Sequence, residues 1–226
     1  MIAKIPLPAA VAAAEAFSDP TESMLFAEEQ ALLTNALDER RREFATVRVC
    51  ARRALATLGV APVPILPGLR GAPIWPDGIV GSMTHCVGYR AAAVASAAAV
   101  ASIGIDAEPH EALPAGLINA IAIDEERDQV SHLSRVVPHV WWDRLLFCMK
   151  EAVFKAWFPL TRQWLDFEDV SIAMGAYSGT FNARLLVPGP VVNGRQLDHF
   201  AGRWLVHEGL ILTVIALTTD SSDLPT

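Results

Sequence analysis

Two carboxylates, Asp106 and Glu108, stand two residues apart in the apolar, β-branched run Ile103-Gly104-Ile105-Asp106-Ala107-Glu108-Pro109. On a strand, alternate side chains share a face, so the two acids point the same way. At that spacing they repel each other unless a positive charge lies between them. A hard divalent cation such as Mg²⁺ suits the position, because it takes oxygen ligands and usually only one or two carboxylates. Pro109 has no ladder donor, so the strand is expected to stop there. The plainer alternative is a pair of solvated acids at a strand end.

Other groups bear on that choice. Glu151 and Lys155 are four residues apart in a helical run and stack on one face. A simple ion pair is the ordinary reading. However, Phe147, Cys148, Phe154 and Phe158 leave little of this run polar, and buried charges need partners, which a metal and a phosphate would supply. In Gly81-Ser82-Met83-Thr84-His85-Cys86, three hydrogen-bonding side chains fall within four residues. They suit a phosphate-binding turn with free backbone N–H groups near Gly81, or else a polar turn with a structural histidine. Arg40, Arg41, Arg42, Arg48, Arg52 and Arg53 crowd into one short stretch. Arg41, Arg48 and Arg52 share a helical face. This is either a local anion site or a solvated basic face with Glu39 and Glu43 as partners.

The elements that must position these residues follow from the pattern. Residues 1–20 read as extended or partly helical, and 23–37 as an amphipathic helix. A longer helix is expected from about Glu39 to Leu58, capped by Asp38 and stopped by Gly59. Residues 60–80 are a Pro/Gly-rich loop, with Ile74-Trp75-Pro76 buried or stacked. Tyr89 to Ala101 is alanine-rich, which by propensity favours helix. The β-like segment that follows points instead to a hairpin of small-residue strands, against which another element packs closely. Residues 109–138 read as loop–helix–loop, with the charged run Asp124-Glu125-Glu126-Arg127-Asp128 as a solvated helix face. Trp141 to Phe158 is the strongest helix. Strands are expected at 168–174, 180–187, 201–207 and 210–218, with Glu208-Gly209 turning between the last two. From Asp220 the chain reads as a polar, disordered tail.

Composition narrows the classes. The chain has 226 residues, 52% hydrophobic, with a formal net charge of −7, which fits a compact folded protein rather than one attracted to nucleic acid. No apolar run reaches the roughly 18 residues of a membrane span, and the Ala-rich start lacks a basic leader, so no membrane association or signal peptide is expected. Cys50, Cys86 and Cys148 are far apart and in apolar settings, as reduced core cysteines of a cytoplasmic protein. His110, His132 and His139 have no metal-ligand spacing and read as surface or structural residues.

The segments Gly81-Ser82-Met83-Thr84-His85-Cys86, Ile103-Gly104-Ile105-Asp106-Ala107-Glu108 and Phe147-Cys148-Met149-Lys150-Glu151-Ala152-Val153-Phe154-Lys155-Ala156, in that order, resemble a 4′-phosphopantetheinyl transferase of the Sfp/EntD type. Arg40-Arg41-Arg42-Glu43-Phe44 through Arg48 and the Trp75-Pro76-Asp77-Gly78 segment resemble the actinobacterial branch. The resemblance implies an α+β fold of two similar α/β halves with pseudo-two-fold symmetry, residues 1–110 and 111–226, with coenzyme A between them. It implies transfer of the 4′-phosphopantetheine arm of coenzyme A to a serine of an apo carrier protein, releasing 3′,5′-ADP. Asp106, Glu108 and Glu151 would surround Mg²⁺, with Mn²⁺ as an alternative ion. Lys155 would contact the pyrophosphate, and Glu151, or else Glu108, would take the serine proton. Arg40, Arg48 and His85 would hold the 3′-phosphate, Thr84 would add a hydroxyl bond beside Ser82, and the Gly68-to-Pro73 loop would line the adenine. Pro67 stands where many relatives carry lysine, and Arg70 is the candidate to supply that charge. The implied partners are carrier proteins of fatty-acid, polyketide or nonribosomal peptide synthases, as in antibiotic biosynthesis. Leu113 to Ile123 and the surface near Trp141 are docking candidates, and the enzyme would act as a monomer. The rival readings are a coenzyme A-binding regulatory protein without transferase activity and a Mg²⁺-dependent phosphohydrolase of a small diphosphate.

Overall fold

The computed structural model describes residues 1–20 and 25–219. In order, the elements are β1 (Val11–Ala16), α1 (Ala27–Ala31), α2 (Asp38–Thr57), β2 (Ile79–Cys86), β3 (Tyr89–Ser96), β4 (Val100–Pro109), α3 (Ile118–Ile121), α4 (Asp124–Val136) and α5 (Trp142–Thr161). Then come β5 (Val170–Met174), β6 (Thr180–Leu185), β7 (Val191–Val192), β8 (Arg195–Gln196), β9 (His199–His207) and β10 (Leu210–Thr218). The expected polar tail from Asp220, and the first residues of the helix expected over 23–37, lie outside the described residues.

The fold is α+β. A three-stranded antiparallel sheet runs β1-β3-β2, and a five-stranded one β4-β10-β9-β6-β5. Helix α2 packs Cys50, Ala51, Ala54 and Leu55 on Ala92 and Val94 of β3. The opposite face of β3, Ala91, Ala93 and Ala95, meets Ile103 and Ile105 of β4, Leu212 of β10 and the N-terminal Ile2 and Ile5. Helix α5 covers the other face of the five-stranded sheet, with Trp142, Met149 and Val153 in a core that reaches Ile172, Phe200 and Ile215. β4 lies before residue 110 in sequence, yet it pairs with β10 at the far end of the chain.

The alanine-rich segment is β-structure, and its small side chains allow the close packing expected of them. The pairing differs from the expected one. β3 pairs with β2 through a turn at Val87-Gly88, whereas β4 leaves for the other sheet. Gly81 to Cys86 is likewise not a turn but the body of β2, paired with β3. Its hydroxyls go to the unpaired edge of β4: Ser82 Oγ accepts from Ile105 N at 3.1 Å, and Thr84 Oγ1 from Ala107 N at 3.0 Å. Side chains thus do at this edge what a neighbouring backbone would otherwise do. The opposite edge, β5, is treated the same way by α4, where Glu126 and Gln129 accept from Ile172 N and Met174 N.

The helix expected over 23–37 is, among the described residues, only α1 and a following turn. Its Glu29 is fully buried and accepts from Phe26 N, Ile65 N and Arg52, which draws the segment inward against α2 instead of letting it run on. Helix α2 agrees closely with expectation. Leu37 rather than Asp38 is its N-cap, and Asp38 sits in the first turn, where a carboxylate also favours the helix. Gly59 follows with φ +76°, a conformation suited to glycine. Helix α5 continues past Phe158, through Pro159, to Thr161, and Arg162 ends it with φ +58°. The terminal strands lie where expected, and Glu208-Gly209 turns with both φ positive. The short β7–β8 pair around Asn193-Gly194 was not expected, although Asn-Gly is a strong hairpin signal.

Candidate active site

Strand β4 and helix α5 are held unusually close. A Cβ on Gly104 would lie 2.0 Å from Ala152 O, so only glycine lets the helix backbone approach there. This brings Asp106 and Glu108, on the same face of β4, beneath Glu151 and Lys155 on α5. Lys155 Nζ donates to Asp106 Oδ1 at 2.7 Å and to Ile105 O at 3.1 Å. The i,i+4 pair expected between Glu151 and Lys155 is therefore replaced by a bond from the lysine to the strand. Asp106 is 5% exposed, and its Oδ2 is buried with no hydrogen-bond partner among the described residues.

Glu108 is held by a residue that spacing did not single out. Arg144, in the first turn of α5, donates to Glu108 Oε2 at 2.8 Å and to Glu111 O and Ala112 O in the following loop. Among the described residues no three His, Cys, Asp or Glu side chains stand together as a ready metal cage. Of the expected set, Asp106 pairs with Lys155 and Glu108 with Arg144, while Glu151 lines the neighbouring cavity.

The electrostatics show what this costs. Burial and then the nearby Asp106 push both Glu108 and Glu151 above the usual carboxylate range, with Arg144 or Lys155 opposing. Burial works to lower Lys155, but Asp106 and Glu151 together outweigh it and raise the ammonium above its usual value. The donor set is hard oxygen, carries excess negative charge and leaves one buried lone-pair oxygen unused. That chemistry fits a divalent cation.

A cavity of about 900 Å³ opens beside this cluster. Arg40, Arg48, Gly68, Arg70, Pro73, Ser82, His85, Glu151 and Lys155 all line it. In its lining Arg40 Nη1 donates to His85 Nε2 at 2.7 Å, and Glu43 lies 3.6 Å from each. Burial lowers His85 below its usual value, with Glu43 opposing. Arg48 is buried, lies over the Phe44 ring and donates to Ile65 O and Phe44 O, and burial lowers it to about 10. Arg52 goes to Glu29, and Arg41 to Thr34 O and Ala36 O. The arginine face is thus divided: Arg40 and Arg48 meet the cavity, while Arg41 and Arg52 tie down the chain before α2. The loop at Gly68–Pro73 is pinched by a bridge between Pro67 and Pro73, and Arg70 lies 4.8 Å over the ring of Trp164. Phe154 and Phe158 give the cavity an aromatic wall. Thr84 and the two β4 acids do not line the cavity directly; Thr84 is 3% exposed and bonded to Asp106.

Residues 28–95 match a family model described as the 4′-phosphopantetheinyl transferase N-terminal domain, and residues 102–204 one described as the 4′-phosphopantetheinyl transferase superfamily. The chain is 55% identical over 220 residues to 4′-phosphopantetheinyl transferase Svp of Streptomyces mobaraensis, covering 96% of this chain and 89% of that protein. It is 49% identical over 219 residues to 4′-phosphopantetheinyl transferase PptT of Mycobacterium tuberculosis, covering 93% and 96%. To 4′-phosphopantetheinyl transferase Npt of Nocardia iowensis it is 48% identical over 218 residues, covering 93% and 97%.

Proposed function

The chain belongs to the 4′-phosphopantetheinyl transferase superfamily, and from that premise we propose that it moves the phosphopantetheine arm of coenzyme A to a serine of apo carrier proteins, in a Mg²⁺-dependent reaction. The observation that carries this reading is one cavity lined by the cations Arg40, Arg48 and His85 together with Glu151 and Lys155, the last bonded to Asp106. A ligand that carries both a phosphate and a diphosphate suits it.

Arg40, His85 and Arg48 bind the 3′-phosphate, for which a guanidinium fork is well shaped. The Gly68–Pro73 loop borders the adenine. Lys155 turns from Asp106 to a diphosphate oxygen, and the Phe154–Phe158 wall takes the pantetheine arm. Asp106, Glu108 and Glu151 would hold Mg²⁺, which when bound neutralises charge developing on the leaving diphosphate. The serine oxygen bonds to the phosphorus that carries the pantetheine. The bond from that phosphorus to the bridging oxygen breaks, and 3′,5′-ADP leaves with the oxygen. Glu151, which lines the cavity beside Lys155, takes the serine proton.

Arg40, His85, Glu151 and Lys155 line one cavity within the chain, and we propose that it acts as a monomer. No helix among the described residues is long and apolar enough to cross a membrane, and we place the enzyme with its carrier proteins in the cytoplasm. Release of 3′,5′-ADP from coenzyme A, measured with and without an apo carrier protein, tests the reaction. Release only with the carrier is expected. Release without it would indicate a phosphohydrolase instead.

A further inference from the structure

Neighbouring residues on a strand face opposite ways, and Thr84 and His85 on β2 obey this rule. His85 turns to Arg40 of α2, on the cavity side. Thr84 turns the other way, to the open edge of β4, and is 3% exposed. Its hydroxyl accepts from Ala107 N at 3.0 Å and donates to Asp106 Oδ1 at 3.2 Å. The accepted N–H settles the orientation of the hydroxyl, so its proton is directed at the carboxylate. Lys155 donates to the same Oδ1, and Oδ2 is left without a partner.

We propose that Thr84 is a positioning residue for Asp106, fixing the carboxylate so that Oδ2 is presented to the metal, and that it makes no contact with the 3′-phosphate of the nucleotide. The family resemblance implied the opposite role. The inference rests on the transferase reading above and adds to it. A carboxylate on a strand can rotate about its side-chain bonds, and two donors on one oxygen remove that freedom. Partners of metal ligands placed in this way typically contribute about 10–100-fold to metal affinity or activity.

The test separates the two roles by what each would move. Mn²⁺ binding, in the presence of coenzyme A, is followed by electron paramagnetic resonance for the wild type, Thr84→Val, Thr84→Ala and Thr84→Ser. Coenzyme A affinity in EDTA, and preference over 3′-dephospho-coenzyme A, are measured on the same proteins. Thr84→Val and Thr84→Ala are expected to weaken Mn²⁺ binding by about 10–100-fold and lower kcat, with coenzyme A affinity and 3′-phosphate preference unchanged. Thr84→Ser, which keeps the hydroxyl, is expected to restore both. If Thr84→Val does not fold, as judged by circular dichroism, the Ala and Ser variants decide. Weakened coenzyme A binding with loss of the 3′-phosphate preference, and unchanged Mn²⁺ binding, would overturn the inference. The metal measurement does not use transfer, so a wild type that binds metal and coenzyme A but transfers nothing would sink only the transferase reading.

Discussion

Lys150 and Lys155 lie on the same helix and each reaches a carboxylate, but the surroundings of the two pairs differ. Lys150 meets Glu126 at 2.7 Å, with the acid fully buried and the lysine nearly so. Every donor and acceptor there is occupied in part by backbone: Lys150 also donates to Phe167 O and Val170 O, and Glu126 accepts from Ile123 N and Ile172 N. Lys155 meets Asp106 at the same distance. Here one carboxylate oxygen is orphaned, and Glu108 and Glu151 crowd the same acid. The first pair is complete without any ligand. The second has excess negative charge and an unused buried oxygen, a donor set whose chemistry fits a divalent cation. Burial alone therefore does not tell the two lysine pairs apart, whereas hydrogen-bond satisfaction does.

The comparison can be broken at either pair. The largest effect is expected at the incomplete one: Glu151→Gln or Asp106→Asn should lower transfer by about 10²–10⁴-fold, with the thermal midpoint close to wild type. Steady-state transfer and calorimetry on the same sample check this. At the complete pair the pattern should reverse. Glu126→Gln or Lys150→Met should cost about 3–5 kcal/mol of stability, read from denaturant midpoints, while activity per folded molecule stays near wild type. Gly104→Ala sharpens the contrast by touching both properties. Its Cβ would meet Ala152 O, so α5 must move away from β4. A loss of about 1–3 kcal/mol and a fall in kcat of up to about 10²-fold are expected, checked by unfolding and kinetics together.

The smallest effect is in the pH dependence of stability, and its sign differs between the two lysines. Lys155 binds its proton more tightly folded than unfolded, so its stabilisation is full below the ordinary value of 10.5 and is lost as pH rises through the higher folded value. Burial lowers Lys150, with Glu126 opposing, so folding becomes more favourable as pH rises from its lower folded value towards 10.5. Unfolding free energies of wild type, Lys150→Met and Lys155→Met over about pH 9 to 12 should show opposite slopes for the two differences.

Much of this arrangement could be read from the chain. The runs Asp106–Glu108 and Glu151–Lys155, the arginine helix and the terminal strands carry their periodicity locally, and they lie where the pattern places them. What could not be read is partner choice over long separations. Lys155 and Asp106 are 49 residues apart, and nothing in the spacing of Glu151 and Lys155 reveals that the lysine prefers the strand. Glu126 looked like one more acid in a solvated run, because its burial depends on Lys150 and on the β5 edge. Arg144 gave no signal, since its role arises only where the end of β4 meets the start of α5. Ser82 and Thr84 suggested a turn because they cluster with His85 beside Gly81; they serve instead as substitutes for a missing neighbouring strand.

The most direct test of the central claim is intact-mass spectrometry of an apo carrier protein incubated with coenzyme A, Mg²⁺ and either wild type, Asp106→Asn or Glu126→Gln, each with an EDTA control. The account expects a mass gain of one phosphopantetheine with wild type and with folded Glu126→Gln, lost with EDTA and with Asp106→Asn. Undiminished transfer by Asp106→Asn, or no transfer by wild type to any of several carrier types, would contradict it.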